Sequence, residues 1–407
     1  MDIKVQIIGL GYIGLPTAIC ISERIDRVHG YDISEEKIID IQSSKIDKNE
    51  PFLEEKLKKA LSKSLTISSN LENADVYIIC VPTPFLNDKT PDLSFVFDVV
   101  EKIASILKKG DMVILESTVP IGTTEKIRDI VKKRRDDLHF SEHYESSDSD
   151  IHIAYCPERV LPGNIFEELY KNSRVIGGLT KKCSEKASEI YELFVSSTIS
   201  KTDSKTAEFI KLAENTYRDI NIAIANEFSM MAHKEKLDIN EIISITNQHP
   251  RVNILKPGVG VGGHCLAVDP YFLINSFPNE SSLTFEARKI NLKKEDFSYN
   301  LIKEFIKKNN LKNISLFGAS YKPNSNDLRE SPSFRILKRL ANDDLFIYLC
   351  EPNILRLDIN KENIMLCSAQ DCLSNGDGYI FMVPHDVFKS DDFFNITKPY
   401  IDFCNLI

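Results

Sequence analysis

The chain has no excess of positive charge: 51 lysines and arginines stand against 60 acidic residues, a formal net charge of -9. A phosphate backbone or an acidic membrane calls for a basic face, so nucleic-acid and membrane-surface binding are not expected. Any anionic substrate has to be held by a few local cations. No apolar stretch is long enough to span a bilayer. The opening MDIKVQIIGLG lacks the basic start of a signal peptide and reads as a first strand. The nine cysteines, at 20, 80, 156, 183, 265, 350, 367, 372 and 404, form no CxxC pair and no disulfide framework, which predicts reduced thiols in a cytoplasmic protein. No metal site is expected: His139 and His143 share helical spacing but border the Ser/Asp/Glu-rich run 141–150, a solvated loop. There is no short-period repeat.

What the sequence does contain is an ordinary globular composition, 42% apolar and 27% charged, over 407 residues. At roughly 100–200 residues per domain that length predicts two or three domains. Short β-branched runs at 4–8, 28–31, 76–81, 112–116, 151–156 and 174–177 alternate with helical stretches, the pattern of a parallel sheet with crossover helices. From about 203 to 236 the pattern becomes one helical run without proline or glycine, roughly 50 Å long at 1.5 Å per residue, suited to connecting domains and to a subunit interface. Alternation resumes at 314–318, 346–350, 379–383 and 400–403. The expected fold class is α/β, with two Rossmann-like doubly wound domains, 1–200 and 299–407, joined by a central helical region, 201–298.

Gly9, Gly11 and Gly14 form G-x-G-x-x-G after the first strand and before a helical run. The first allows a tight turn, the second a close approach of backbone to pyrophosphate, and the third close helix packing on a helix N-terminus rich in free N–H groups. Asp32 closes the second strand at about the expected distance, where a carboxylate accepts bonds from the adenosine ribose. An acid there would repel a 2′-phosphate, so NAD is favoured over NADP.

The segment KPGVGVGGHCLAVD, 256–269, packs four glycines into six residues directly before His264 and Cys265. Such a loop is expected to build no core, but to bring backbone donors close to a ligand and to expose a thiol at a sharp turn. On the long helix, Lys211, Asn215 and Arg218 follow i, i+4, i+7 spacing and share one face, where they suit an oxidised sugar carbonyl and a diphosphate.

GLGYIGLP, VPTP, ESTVPIGTT, CPERVLPG, KLAENTYRD, GVGGHCLAVDP and GASYKPNSNDLRESP occur in that order along nearly the whole chain. In these motifs it resembles the UDP-glucose/GDP-mannose dehydrogenases. CPERVLPG and NQHPRVN are most similar to the members that act on UDP-N-acetyl-D-mannosamine. The resemblance implies NAD-dependent oxidation of a sugar C6 alcohol to a carboxylate. Cys265 would be the nucleophile, Lys211 the acid/base or oxyanion partner and Asn215 its assistant, with Asp269 and Thr118 positioning water. Tyr12, Ile13, Asp32, Lys37, Thr83 and Thr118 resemble NAD contacts, and Arg329 one that reaches cofactor across an assembled site. Arg159, Val160, Lys211, Asn215, Arg218, His249, Arg251, Gly262, Tyr321 and Lys322 resemble UDP-sugar contacts. The implied partners are a UDP-sugar and a second copy of the chain.

Two departures stand out. Val259 replaces a proline common among the relatives, which is expected to loosen the loop, and near the C-terminus only Lys398 is a candidate for a basic cofactor contact. The same chemistry on UDP-N-acetylglucosamine, UDP-N-acetylgalactosamine or UDP-glucose stays open, as do a two-electron hydroxyacid dehydrogenase and a non-catalytic NAD sensor.

Overall fold

The computed structural model describes residues 3–46, 50–86, 88–146, 148–160, 163–357, 359, 361–390, 393 and 396–407. It divides into two compact units, 1–213 and 214–407. The first contains strands β1 (Lys4–Ile8), β2 (Arg27–Tyr31), β3 (Leu65–Ser68), β4 (Val76–Ile79), β5 (Met112–Leu115), β6 (His152–Tyr155), β7 (Arg174–Gly178) and β8 (Ile199–Asp203). They form one sheet in the order β3-β2-β1-β4-β5-β6-β7-β8. The order reverses between β1 and β4, the switch point at which ligands bind in such sheets.

Successive side chains of a strand point to opposite faces. Val5, Ile7, Ile78 and Ile114 enter one hydrophobic core, and Ile8, Tyr77, Ile79, Val113 and Leu115 the other. Burial on both faces explains why these strands read as continuous apolar runs.

Three strands escaped the sequence pattern. β3 and, in the second unit, the strand Ile364–Leu366 are short edge strands, and β8 alternates little because its side chains are mostly half-buried or exposed. The sheet is not wholly parallel either: β7 runs antiparallel to β6, pairing Ala154 with Gly178. Strand direction leaves no trace in hydrophobic patterning, so alternation alone could not reveal the reversal.

The second unit carries β9 (Asn313–Phe317), β10 (Phe346–Cys350), β11 (Ile364–Leu366), β12 (Gly378–Phe381) and β13 (Tyr400–Asp402), all parallel, in the order β11-β10-β9-β12-β13. One face packs Ile314, Leu316, Ile347 and Leu349, and the other stacks Phe317 on Phe381 at 4.7 Å between ring centroids. The long helix spans Ser204–Lys234, beginning after β8, and a second long helix, missed in the sequence, spans Ser282–Lys308. Among the described residues no helix is long and apolar enough to cross a membrane.

Candidate active site

In the first unit, Gly9 follows β1 with φ +92°. A Cβ there would lie 2.9 Å from the Cys80 carbonyl oxygen, so the turn demands glycine. At Gly14 a Cβ would come within 1.8 Å of the Gly9 carbonyl oxygen, which sets the helix Gly14–Ser22 directly against the loop. Ile13 occupies the N-cap of that helix without a side-chain cap, and Gly11 has no atom within 4 Å of its Cβ position. Open space and a helix N-terminus therefore coincide where a pyrophosphate would bind.

Asp32 ends β2. Its carboxylate accepts from the Leu10 N–H at 2.8 Å, the Ser34 N–H at 3.1 Å and the Lys37 ammonium at 2.9 Å. Burial alone would raise its pKa, but the bonds from Lys37, Ser34 and Leu10 outweigh burial and hold the carboxyl below its usual value. An ionised carboxylate offers about four lone-pair positions, which leaves room for a ribose hydroxyl. These residues fit NAD.

Two further loops, after β4 and β5, are tied to each other. The Thr83 hydroxyl donates to the Thr118 carbonyl at 2.7 Å, and Ser117 donates to that of Val81 at 2.6 Å. Buried Glu208 accepts from the N–H groups of Gly122 at 2.5 Å and Thr124 at 2.8 Å, capping the helix Thr123–Arg134 and anchoring the loop that contains Thr118. The Tyr12 hydroxyl donates to buried Glu50, which also accepts from the Gly163 N–H at 2.5 Å.

Glu158 is the residue that sequence reasoning missed in this unit. Buried Lys211 donates to its carbonyl at 2.6 Å. Its carboxylate accepts from the Arg159 N–H at 2.6 Å and pairs with buried Arg174 at 2.7 Å. Glu158 thus fixes Lys211 and the backbone at Arg159, whose guanidinium donates to the Ser173 carbonyl, while Val160 packs partly against the core. The signal lies inside CPERVLPG, in the glutamate directly before the two residues, Arg159 and Val160, that the resemblance points to. Leu161 and Pro162 of that motif lie outside the described residues.

In the second unit, the half-buried Cys265 stands one turn before the helix Asp269–Ser276. Its carbonyl accepts from the N–H groups of Val268 at 2.9 Å and Asp269 at 2.8 Å. The carboxylate of buried Asp269 accepts from the Asn215 amide at 2.5 Å. Helix capping and one side-chain bond thereby bring together the predicted nucleophile, the predicted water-positioning acid and the predicted oxyanion residue.

The glycine loop differs from expectation. Its valines are buried, Val259 at 4% and Val261 at 6% exposure, and Val259 joins the core beneath β9 and β10. The glycines make this possible by close approach to their own chain. Gly263, at φ +87°, donates to the Arg329 carbonyl at 3.1 Å, and a Cβ there would meet the Tyr321 ring at 2.7 Å. A Cβ on Gly262 would lie 2.5 Å from the Glu330 carbonyl oxygen. So the loop does contribute to a core, and Val259 fastens it instead of loosening it.

His264 was not singled out as a site residue, yet its Nδ1 lies 3.6 Å from Asp327 and 3.2 Å from the Arg329 guanidinium. Bonding to Asp327, with help from Cys265, pushes its pKa up to about 9, against opposition from burial and Arg329. Burial would raise the Asp327 carboxyl, but His264 and Arg329 hold it well below the usual range. The Lys322 ammonium stands 6.0 Å from the Tyr321 ring centre. Arg218, His249 and Arg251 are exposed, and the Arg251 N–H points to His249 Nδ1 at 3.4 Å. Lys398 is committed elsewhere: its ammonium donates to the carbonyls of Leu373, Ser374 and Gly376 at 3.2, 3.0 and 2.7 Å, closing the end of the helix Ala369–Asn375. A cation spent on helix carbonyls is poorly placed to serve a cofactor.

The raised His264 pKa has a consequence for stability. The imidazolium contributes fully below the ordinary histidine value of about 6.5, and its contribution is lost as pH rises through about 9. In a Cys265→Ala background, which removes the neighbouring thiol titration and with it part of the rise, the unfolding midpoint is expected to fall as pH rises from about 6.5 towards 9, ending below about 9, relative to a His264→Gln companion. Parallel curves from pH 6 to 10 would show that His264 gains nothing from Asp327.

Comparison with known proteins identifies the family. Three models of the UDP-glucose/GDP-mannose dehydrogenase family match in sequence: the NAD binding domain over residues 3–195, the central domain over 205–293 and the UDP binding domain over 315–407. The chain is 44% identical to UDP-N-acetyl-D-mannosamine dehydrogenase of Campylobacter jejuni, covering 95% of this chain and 96% of that one. It is 43% identical to NDP-N-acetyl-D-galactosaminuronic acid dehydrogenase of Ralstonia nicotianae, covering 95% and 92%. The solved UDP-D-ManNAc dehydrogenase of Pyrococcus horikoshii superposes with a TM-score of 0.88 at 35% identity, covering 99% and 96%. The chain belongs to the UDP-glucose/GDP-mannose dehydrogenase family, NAD-dependent oxidoreductases of UDP-sugars.

Proposed function

We propose that the protein is a UDP-N-acetyl-D-mannosamine 6-dehydrogenase that oxidises the C6 alcohol to a carboxylate through a covalent adduct on Cys265. The observation that carries the reading is the arrangement of Cys265 one turn before Asp269, with Asp269 bound to Asn215 at 2.5 Å. Alcohol to acid is a four-electron oxidation. NAD, when bound, accepts the hydrides, one for each of two molecules.

The first oxidation gives an aldehyde at C6. The Cys265 thiolate adds to that carbon, forming a C–S bond and a thiohemiacetal oxyanion. Loss of the second hydride leaves a thioester, and water cleaves its C–S bond to release the carboxylate and regenerate the thiolate. Lys211 uses one of its three N–H donors on the Glu158 carbonyl and has two for the developing oxyanion. Asn215 assists there, and Asp269 and Thr118 orient the water. Gly9, Gly11, Asp32, Lys37 and Thr83 hold NAD. Arg159, Arg218, His249, Arg251, Tyr321 and Lys322 hold the UDP-sugar.

The manno sugar rests on CPERVLPG and NQHPRVN and on relatives of that name in Campylobacter jejuni and Pyrococcus horikoshii. The Ralstonia relative favours a galacto substrate as the second reading. A site built to pair an acetamide and particular hydroxyls loses roughly 1–3 kcal/mol for each group left unpaired, a factor of about 5 to 150. Assayed with NAD, UDP-N-acetylmannosamine is expected to exceed UDP-glucose, UDP-N-acetylglucosamine and UDP-N-acetylgalactosamine in kcat/KM by about tenfold or more. Preference for the galacto or gluco sugar would reassign the substrate.

The enzyme acts as a homodimer or larger oligomer. Tyr217, Ile224, Phe228 and Met231, spaced i, i+7, i+11 and i+14, stand exposed along one face of the helix Ser204–Lys234. A second copy covering this stripe is the expected occupant. Sedimentation at assay concentration should show at least a dimer, and a fully active monomer would contradict it.

A further inference from the structure

We propose that a buried chain of side chains running from Asn226 to Arg288 is a positioning brace that fixes both ends of the loop carrying Cys265. This rests on Cys265 being the nucleophile. Asn226 Oδ1 accepts from the Gly258 N–H at 3.0 Å, at the start of the loop. Its Nδ2 donates to Asn291 Oδ1 at 2.9 Å, and Asn291 Nδ2 donates to Asp219 Oδ1 at 2.8 Å. Arg288 donates to the same Asp219 oxygen at 2.6 Å and to the Leu266 carbonyl at 3.4 Å, one residue past Cys265.

The direction of every bond is forced. A backbone N–H fixes which end of the Asn226 amide faces Gly258, that choice orients Asn291, and Asn291 must then donate to a carboxylate. The chain ends on a carbonyl that can only accept. Hydrogen bonds aligned in this way polarise one another. Asp219 and Asn226 lie on the helix Ser204–Lys234, and Arg288 and Asn291 on the helix Ser282–Lys308. Two rigid elements therefore grip a loop whose glycines give it little stiffness of its own.

The brace is a poor device for stability alone. Asp219, Asn226, Arg288 and Asn291 are between 0% and 3% exposed. Asp219 Oδ2 and Arg288 Nε have no hydrogen-bond partner among the described residues. Burial pushes the Asp219 carboxyl up against the pull of Arg288. Buried ion pairs with unmet bonds tend to lose to apolar replacements. Placement at the two ends of the nucleophile's loop gives these residues a different use: a misplacement of about 1 Å at a reacting group costs on the order of 100-fold in rate.

The test uses the full-length enzyme with Asn226→Ala, which releases Gly258 and Asn291 without stranding a charge. It is expected to lower kcat by about 10- to 100-fold while KM for UDP-sugar and NAD stays within about twofold. Peptide-mapped alkylation of Cys265 by iodoacetamide should be as fast as in the unaltered protein or faster, because a freed loop exposes the thiol. Should Asn226→Ala not fold, the paired replacement Asp219→Leu with Arg288→Met removes both charges together and is read in the same way. A folded variant with kcat within twofold, or with raised KM and unchanged kcat, overturns the brace. Slowed alkylation in step with lost kcat does so too. If Cys265→Ser itself turns over, the nucleophile assignment fails, while the alkylation rates still report whether the brace holds the loop.

Discussion

A carboxylate at the carboxyl end of the second strand holds the loop after the first strand in each sheet, and both ligand-facing edges depend on that bond. In the first unit Asp32 accepts from Leu10 at 2.8 Å, and in the second Glu351 accepts from Ala319 at 2.7 Å. The glycine before each donor lies in the left-handed region, Gly9 at φ +92° and Gly318 at φ +88°, and each glycine N–H donates to the carbonyl of the last strand residue before the acid, Tyr31 and Cys350. The two sheets differ in what else the acid meets. Asp32 keeps lone pairs for a ribose, whereas Glu351 is wholly buried against His385 at 3.2 Å and Ser320 at 2.9 Å. The same device therefore supports a cofactor site in one unit and an internal lock in the other.

The catalytic assignments depend on a comparable economy of backbone bonds. Cys265 is set by the helix that starts at Asp269, and Lys211 by one carbonyl of Glu158. In each case a backbone group fixes a residue to which the proposed mechanism gives a role. Arg174 holds Glu158, the glycines let 262–263 lie on 329–330, and the Asp219 network reaches the flanks of the loop. Under the proposed mechanism, preorganisation of this kind would let the lysine and the thiol serve the reaction without reorganising during it.

Much of this was legible in the sequence, for identifiable reasons. The central strands bury both faces and read as apolar runs, and the G-x-G-x-x-G loop and Asp32 carry a spacing fixed by the length of a strand and helix. Edge strands such as β3 and β11 bury too little to leave a pattern, and the antiparallel β7 has no local signal at all. At the site, the residues proposed to act by chemistry belong to recognisable motifs. Glu158, Asp327 and the Asn226 chain hold other residues, and their partners lie as far as 72 positions away. Such pairings exist only once the chain has folded. The valines of the glycine loop were misread because glycine-rich spacing says nothing about which neighbours the backbone will approach.

The most direct measurement is the amount of NADH formed per UDP-N-acetylhexosamine consumed, for the unaltered enzyme and for Cys265→Ser. The covalent four-electron account predicts two NADH per sugar with the thiol present. It predicts at most one, or no turnover, when the weakly ionised serine hydroxyl replaces it. A yield of one from the unaltered enzyme, or an undiminished two from Cys265→Ser, would contradict it.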